Sequence, residues 1–305
     1  MRPIMQLREI PEYQKLVDLM PPIDFREATY FEPMIRDGGF LFHVCPSRFV
    51  LGSSDRVLPV CYREAAYHNS GIVDALLHSI DSDHLREQYN QLYTSNYFDA
   101  DIAASMLALS YCDAKEWAGG LCIVDLGTTV FDVRSIVRDV RLAGAWLGSC
   151  FRSGDGRMVG ADVNAALRGV RRRDFVFFDM RNTTTMQGAT TARYFSNLIG
   201  DLTKDGIYVM AVLDNDESLK RLYRKQWYAM TPLDDASVVI TNTEKANKNN
   251  CNAEGERLRY VKEKLKVLDD FMIPAPSEAE LAVMRDIYHT TEAEVDRMIR
   301  AIILA

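Results

Sequence analysis

Residues 122–133 read CIVDLGTTVFDV. An apolar run stops at Asp125, the chain turns at Gly127 and two threonines, and an amphipathic segment begins. The pattern is that of a buried strand, a tight turn and a helix, with an acid and a glycine at the strand's carboxyl end. A glycine in that place lets the backbone come close to a ligand. The fold that follows from this turn depends on what flanks it.

Working outward, strands and helices alternate from about residue 97 to residue 245. DADIAASMLALSYC (99–112) puts Ile102, Met106 and Leu109 on one helical face. LCIVDLG (121–127) follows as a strand and FDVRSIVRDV (131–140) as a helix. LAGAWLG (142–148) and GRMVGADV (156–163) read as the second and third strands, with AALRGVRR a short helix after them. RDFVFFDMRN (173–182) is a strand that ends in an acid, and TTARYFSNLIGDL (190–202) is a helix. KDGIYVMAVLD (204–214) is a strand entered through a glycine turn, and ESLKRLYRKQ (217–226) is a helix. YAMTPLDDASVVITNT (228–243) reads as two strands joined by a turn. The alternation predicts an α/β fold with a doubly wound, mostly parallel sheet. The closing hairpin adds one antiparallel strand.

Residues 1–95 are interrupted by seven prolines between Pro3 and Pro59 and read as an N-terminal accessory region. Within it FLFHV (40–44) and RFVLG (48–52) suggest short strands, and GIVDALLHSI (71–80) a helix. The stretch EKANKNNCNAE (244–254) reads as a polar loop. Residues 256–305 form a C-terminal helical tail that packs on the domain or grips a protein partner. The expected organisation is therefore 1–95, 96–245 and 256–305.

The chain has 305 residues, 48% of them hydrophobic, and a net charge of −7. That charge argues against broad nonspecific nucleic-acid binding, while leaving room for RNA in one basic groove. No stretch approaches the roughly 20 apolar residues of a membrane span, and no apolar leader core opens the sequence. Six cysteines are scattered singly, as in a reducing compartment, so a cytoplasmic protein without a membrane partner is expected. His43, Cys45, Cys61 and His68 form no CxxC or HxxxH pair, and no metal site is expected.

Three nucleotide-handling designs place an acid and a glycine after a buried strand. A dinucleotide dehydrogenase needs G-x-G-x-x-G at that turn, and here there is one glycine. DLGTT resembles the phosphate turn of actin-type ATPases. Its only earlier companion is RDGGFLF (36–42), however, and DMRNTTTMQG lacks the glycine pair that faces adenosine in that family. The third design accounts for more of the chain. Residues 97–245 resemble the Rossmann-type RNA 2′-O-methyltransferases that use S-adenosyl-L-methionine (SAM), including the viral cap enzymes of nidoviruses and poxviruses.

The resemblance implies cofactor contacts at Asp125, Gly127 and Thr128 for the methionine part, and at Asp162 and Val163 for the adenine. It implies a catalytic role for Asp179, with Arg181 and Asn182 beside it as substrate contacts. The family's catalytic set is lysine–aspartate–lysine–glutamate, in which one lysine takes the ribose hydroxyl proton. The other three positions fall on DADIAA (99–104), Ala211 and Ser237. Two readings follow: an RNA methyltransferase with a divergent catalytic set, or a methyltransferase fold kept as a structural or RNA-binding subunit. Arg171, Arg172 and Arg173, before the Asp179 strand, read as a solvated loop or a partner contact.

Overall fold

A computed structural model describes residues 10–35, 38–53, 58–79, 133–160, 162–181, 183–224 and 228–269. Its strands are β1 (Tyr30–Glu32), β2 (Phe49–Gly52), β3 (Gly156–Val159), β4 (Phe175–Asp179), β5 (Tyr208–Asp214), β6 (Ala229–Pro232) and β7 (Ser237–Thr241). The helices are α1 (Ile10–Leu19), α2 (Gly39–Val44), α3 (Leu58–Tyr67), α4 (Asn69–Ser79), α5 (Val133–Ser153), α6 (Val163–Ala166), α7 (Thr183–Lys204), α8 (Glu217–Arg224) and α9 (Thr243–Asp269). Two compact units divide the chain, Met1–Asn247 and Lys248–Ala305. In the second, the described part is the carboxyl-terminal portion of α9.

All seven described strands belong to one sheet in the order β3-β2-β1-β4-β5-β7-β6. The first five pair in parallel, and β7 runs antiparallel between β5 and β6. The order 3-2-1-4-5 is that of a doubly wound Rossmann sheet, whose direction of winding reverses between β1 and β4. The strands are apolar on both faces because both faces are covered. In β4, Phe175 and Phe177 face one layer while Val176 and Phe178 face the other, as period-two alternation requires. The same division holds in β2, with Phe49 and Leu51 against Val50, and in β5, with Met210 and Val212 against Val209, Ala211 and Leu213. The first layer holds α1 to α5, and the second holds α6, α7 and α8.

The strands ending in Asp179 and Asp214, strand β3, the hairpin β6–β7 and helices α4, α7 and α8 fall where the sequence predicts them. The expected first strand at 121–126 and the helix at 99–112 lie outside the described residues. Next to β4, where that first strand was expected, stands β1. The region expected as an accessory layer therefore supplies two inner strands of the sheet, β1 and β2.

Three elements differ from expectation for identifiable reasons. LAGAWLG is not a strand but the middle of α5, because Ile136, Val140, Ala143, Leu147 and Cys150 form one buried helical stripe. Its glycines mark a close helix contact: a Cβ on Gly144 or Gly148 would overlap the carbonyl oxygen of Ala65 or Ala66 in α3. FLFHV is helix α2, a case in which an apolar run of five does not distinguish helix from strand. EKANKNNCNAE lies inside α9, where Ala246 is fully buried, and its polar composition concealed the helix.

Candidate functional site

In a parallel sheet, ligands bind beyond the carboxyl ends of the strands at the switch point, here between β1 and β4. The central strands β1, β2 and β4 end in, or run directly into, residues with usable chemistry. β4 ends in Asp179, 4% exposed, whose backbone is held in register opposite Val212. β1 ends in Glu32, 3% exposed, whose Oε2 accepts the Tyr30 hydroxyl at 2.7 Å. β2 is followed by Ser53, also buried. Asp55, two residues on, lies outside the described residues.

The most tightly knit group centres on Arg181. Its Nε donates to Asp179 Oδ1 and its Nη2 to Asp179 Oδ2, both at 3.1 Å. The Arg181 amide reaches the same carboxylate at 3.3 Å. Nη2 also meets Glu12 Oε1 of α1 at 2.7 Å. The side chains of Arg181, Asp179 and Glu12 are 12%, 6% and 20% exposed, so one guanidinium serves two carboxylates largely away from water. Such a bidentate, charge-assisted contact is strong when complete.

Lys15 lies one turn along α1 from Glu12, and residues at that spacing share a helix face. Its Nζ donates to the carbonyl of Leu233 in the β6–β7 turn at 3.4 Å. Helix α1 is thereby tied at one point to the end of β4 and at another to the hairpin.

After β1 the chain enters α2 through Gly38 and Gly39. Gly38 has φ +64°, and a Cβ there would overlap the Tyr62 hydroxyl. At Gly39 it would overlap the ring of Tyr13, which stacks on His43 with ring centroids 5.1 Å apart. The two glycines are required by backbone conformation and by these tyrosines.

Asp162 lies just past β3 as the N-cap of α6, with Oδ1 accepting the Asn164 amide at 2.9 Å. Asp162 is exposed, and the adjoining Val163 is half-buried against the second layer. Asn164 Oδ1 accepts the hydroxyl of Tyr194 in α7 at 3.1 Å. β3 and β4 are three strand spacings apart, about 14 Å. Asp162 and Asp179 thus occupy the same edge without touching.

Acids beyond β5 and in the β6–β7 turn are occupied by local structure. Asp216 caps α8 through the amides of Ser218 and Leu219, and its pKa is lowered chiefly by the Ser218 hydroxyl. Asp234 accepts the Ala236 amide at 2.8 Å.

Of the residues singled out from sequence, Asp179 and Arg181 are in direct contact, and Asp162 with Val163 shares their edge. Asp125, Gly127, Thr128 and Asn182 lie outside the described residues. Sequence reasoning missed Glu12, Lys15 and Glu32, and noted the Gly38–Gly39 turn only within RDGGFLF, as the companion of an ATPase phosphate turn. The available signal was FEPMIRDGG (31–39), an acid and a glycine pair after an aromatic strand. Arg171, Arg172 and Arg173 precede β4 at the opposite edge. Arg173 takes φ +71°, and the Arg171 amide donates to Asp174.

Among the described residues, no group of three His, Cys, Asp or Glu side chains could hold a metal ion. No described helix is long and apolar enough to cross a membrane. Neither a scan against protein-family models nor a search of curated proteins finds a match to the chain.

Proposed function

We propose that this protein is a SAM-dependent methyltransferase of the RNA 2′-O type with a rearranged catalytic set. The observation that carries the reading is the sheet: a 3-2-1-4-5 order closed by an antiparallel hairpin, with acids at the ends of β1 and β4 and just beyond β3. That layout agrees with the resemblance seen between residues 156 and 243.

The residues at the edge suit SAM chemically. Glu32 and the Gly38–Gly39 turn take over the part expected of Asp125, Gly127 and Thr128. An exposed carboxylate at Asp162 beside half-buried Val163 suits an adenine, which presents an amino donor and a flat apolar face. SAM, when bound, supplies the methyl group.

With the first strand at β1, the family's first lysine is sought in the helix before it, and α1 carries Lys15. We assign Lys15 to accept the ribose hydroxyl proton, with Arg181 as the permanent cation nearby and Asp179 and Glu12 fixing Arg181 in place. Arg181, Asp179 and Glu12 are in contact at the end of β4, and Lys15 lies one turn along α1 from Glu12, rather than on β5 or β7.

A second reading has its own support. Both oxygens of Asp179 are engaged by Arg181, as befits a structural clamp in an RNA-binding or assembly subunit that keeps the fold without the chemistry.

The test is transfer of labelled methyl groups from SAM to capped and uncapped RNA. Wild type should be active, and Lys15→Ala, at an exposed position, should lower turnover by about 10²–10⁴-fold without loss of SAM binding. Full turnover by Lys15→Ala refutes the assignment of the base. SAM binding by the wild type without any turnover selects the second reading.

A further inference from the structure

Helix α5 is amphipathic in an unusual sense for an acidic chain. Its inner face is fixed by the close approach of Gly144 and Gly148 to α3, and by Asn69 Nδ2, which donates to the Val140 and Ala65 carbonyls. Its outer face is exposed and carries Arg134, Arg138, Arg141 and Arg152, and no exposed residue of the helix is acidic. From the first arginine to the last this face extends about 27 Å. Around Arg134, Arg138 and Arg141 it forms a shallow groove of about 420 Å³ with Val137 and Leu142. The protein as a whole has a net charge of −7, so these arginines are segregated rather than part of a generally basic surface.

We infer that the outer face of α5 is a docking track for the phosphate backbone of single-stranded RNA. The inference rests on the reading of RNA as the substrate, but not on the methyl-transfer chemistry. Guanidinium groups offer paired donors that match phosphate oxygens. Cations repeated along one line with no exposed acid between them suit a linear polyanion. Arg138 keeps this capacity although its Nε contacts Asp139 at 3.2 Å, because its side chain remains 57% exposed. Among the described residues the groove is walled by Val137, Leu142 and arginine stems without an aromatic ring, so these offer no stacking platform for bases. Recognition here is therefore of the backbone and indifferent to sequence. An acidic amphipathic helix fits less well, since Leu142 is the one exposed large apolar side chain on α5 among the described residues.

The experiment is fluorescence anisotropy with a labelled, unstructured RNA between 50 and 200 mM salt, using the full chain. Three proteins are compared: wild type, the Arg134→Ala/Arg138→Ala/Arg141→Ala variant, and the corresponding triple lysine variant. Loss of three phosphate contacts should lower the slope of log affinity against log salt by about 2, so that wild type loses roughly 20-fold more affinity across that range than the alanine variant. The lysine variant should keep the wild-type slope. Equal slopes for wild type and alanine variant overturn the inference. So does a wild type that binds no RNA, including one that instead binds anionic vesicles or an acidic peptide run in parallel. SAM titration of the same samples separates the two claims. Arginine-dependent RNA binding without SAM binding refutes only the methyltransferase reading, and SAM binding without RNA binding refutes only the track.

Discussion

Replacing Arg181 by alanine removes a cation that bridges Asp179 and Glu12. The carboxylates are 6% and 20% exposed, so little water is at hand to replace its hydrogen bonds. Breaking a fully buried ion pair by removing one partner costs about 3–5 kcal/mol. Water can reach Glu12, which places this case near the lower bound, about 3 kcal/mol. For a protein of this size that corresponds to a fall in Tm of roughly 5 °C. Glu12→Ala should cost less, about 1 kcal/mol, because Asp179 keeps both of its contacts to Arg181. Urea unfolding checks the order and the size, with a lower midpoint and an unchanged m-value expected for both variants. An Arg181→Ala protein within about 0.5 kcal/mol of wild type would behave as a surface substitution does, and would refute the clamp.

Three further outcomes are expected. Among the described residues the buried Tyr223 hydroxyl has no hydrogen-bond partner, and burial pushes its pKa up from the ordinary value of 10. Stability present below pH 10 should therefore decline as pH rises above it, since only the unfolded chain ionises readily there. Tyr223→Phe should raise stability at pH 7 by up to about 1 kcal/mol and flatten that decline, and a less stable variant in chemical denaturation would count against the missing partner. Gly144→Ala should destabilise by about 1–3 kcal/mol despite the better helix propensity of alanine, because the new methyl meets the Ala65 carbonyl; an unchanged Tm would show that α3 and α5 can part at no cost. Asp162→Ala should weaken SAM binding by about 1–3 kcal/mol by calorimetry, and unchanged affinity would mean the adenine contact is misplaced.

The second half of the sheet was legible because its strands are long, apolar on both faces and separated by clear turns. FVFFD and YVMAVLD could hardly be anything but buried parallel strands, and KDG marks the entrance to the second of them. The first half was legible only in part. RFVLG reads as a short strand and is β2, but β1 has three residues, shorter than the window in which period-two alternation can be recognised. CIVDLG, by contrast, has every local property of a first strand. That stretch, and the helix at 99–112 in which a lysine was sought, lie outside the described residues. Glycine at 144 and 148 misled the reading of LAGAWLG, since a residue that permits close helix packing looks locally like one that ends a strand. Asp179 was found because it follows a strong strand. Glu12 was not, because its contact with Arg181 spans most of the fold.

The most direct test of the central claim is calorimetric titration of the full chain with SAM and S-adenosylhomocysteine, with magnesium-ATP run beside them. A ligand edge built from Glu32, the Gly38–Gly39 turn and Asp162 predicts binding of both adenosyl compounds at one site and no response to magnesium-ATP. Saturable binding of magnesium-ATP with none of SAM or S-adenosylhomocysteine would contradict the account.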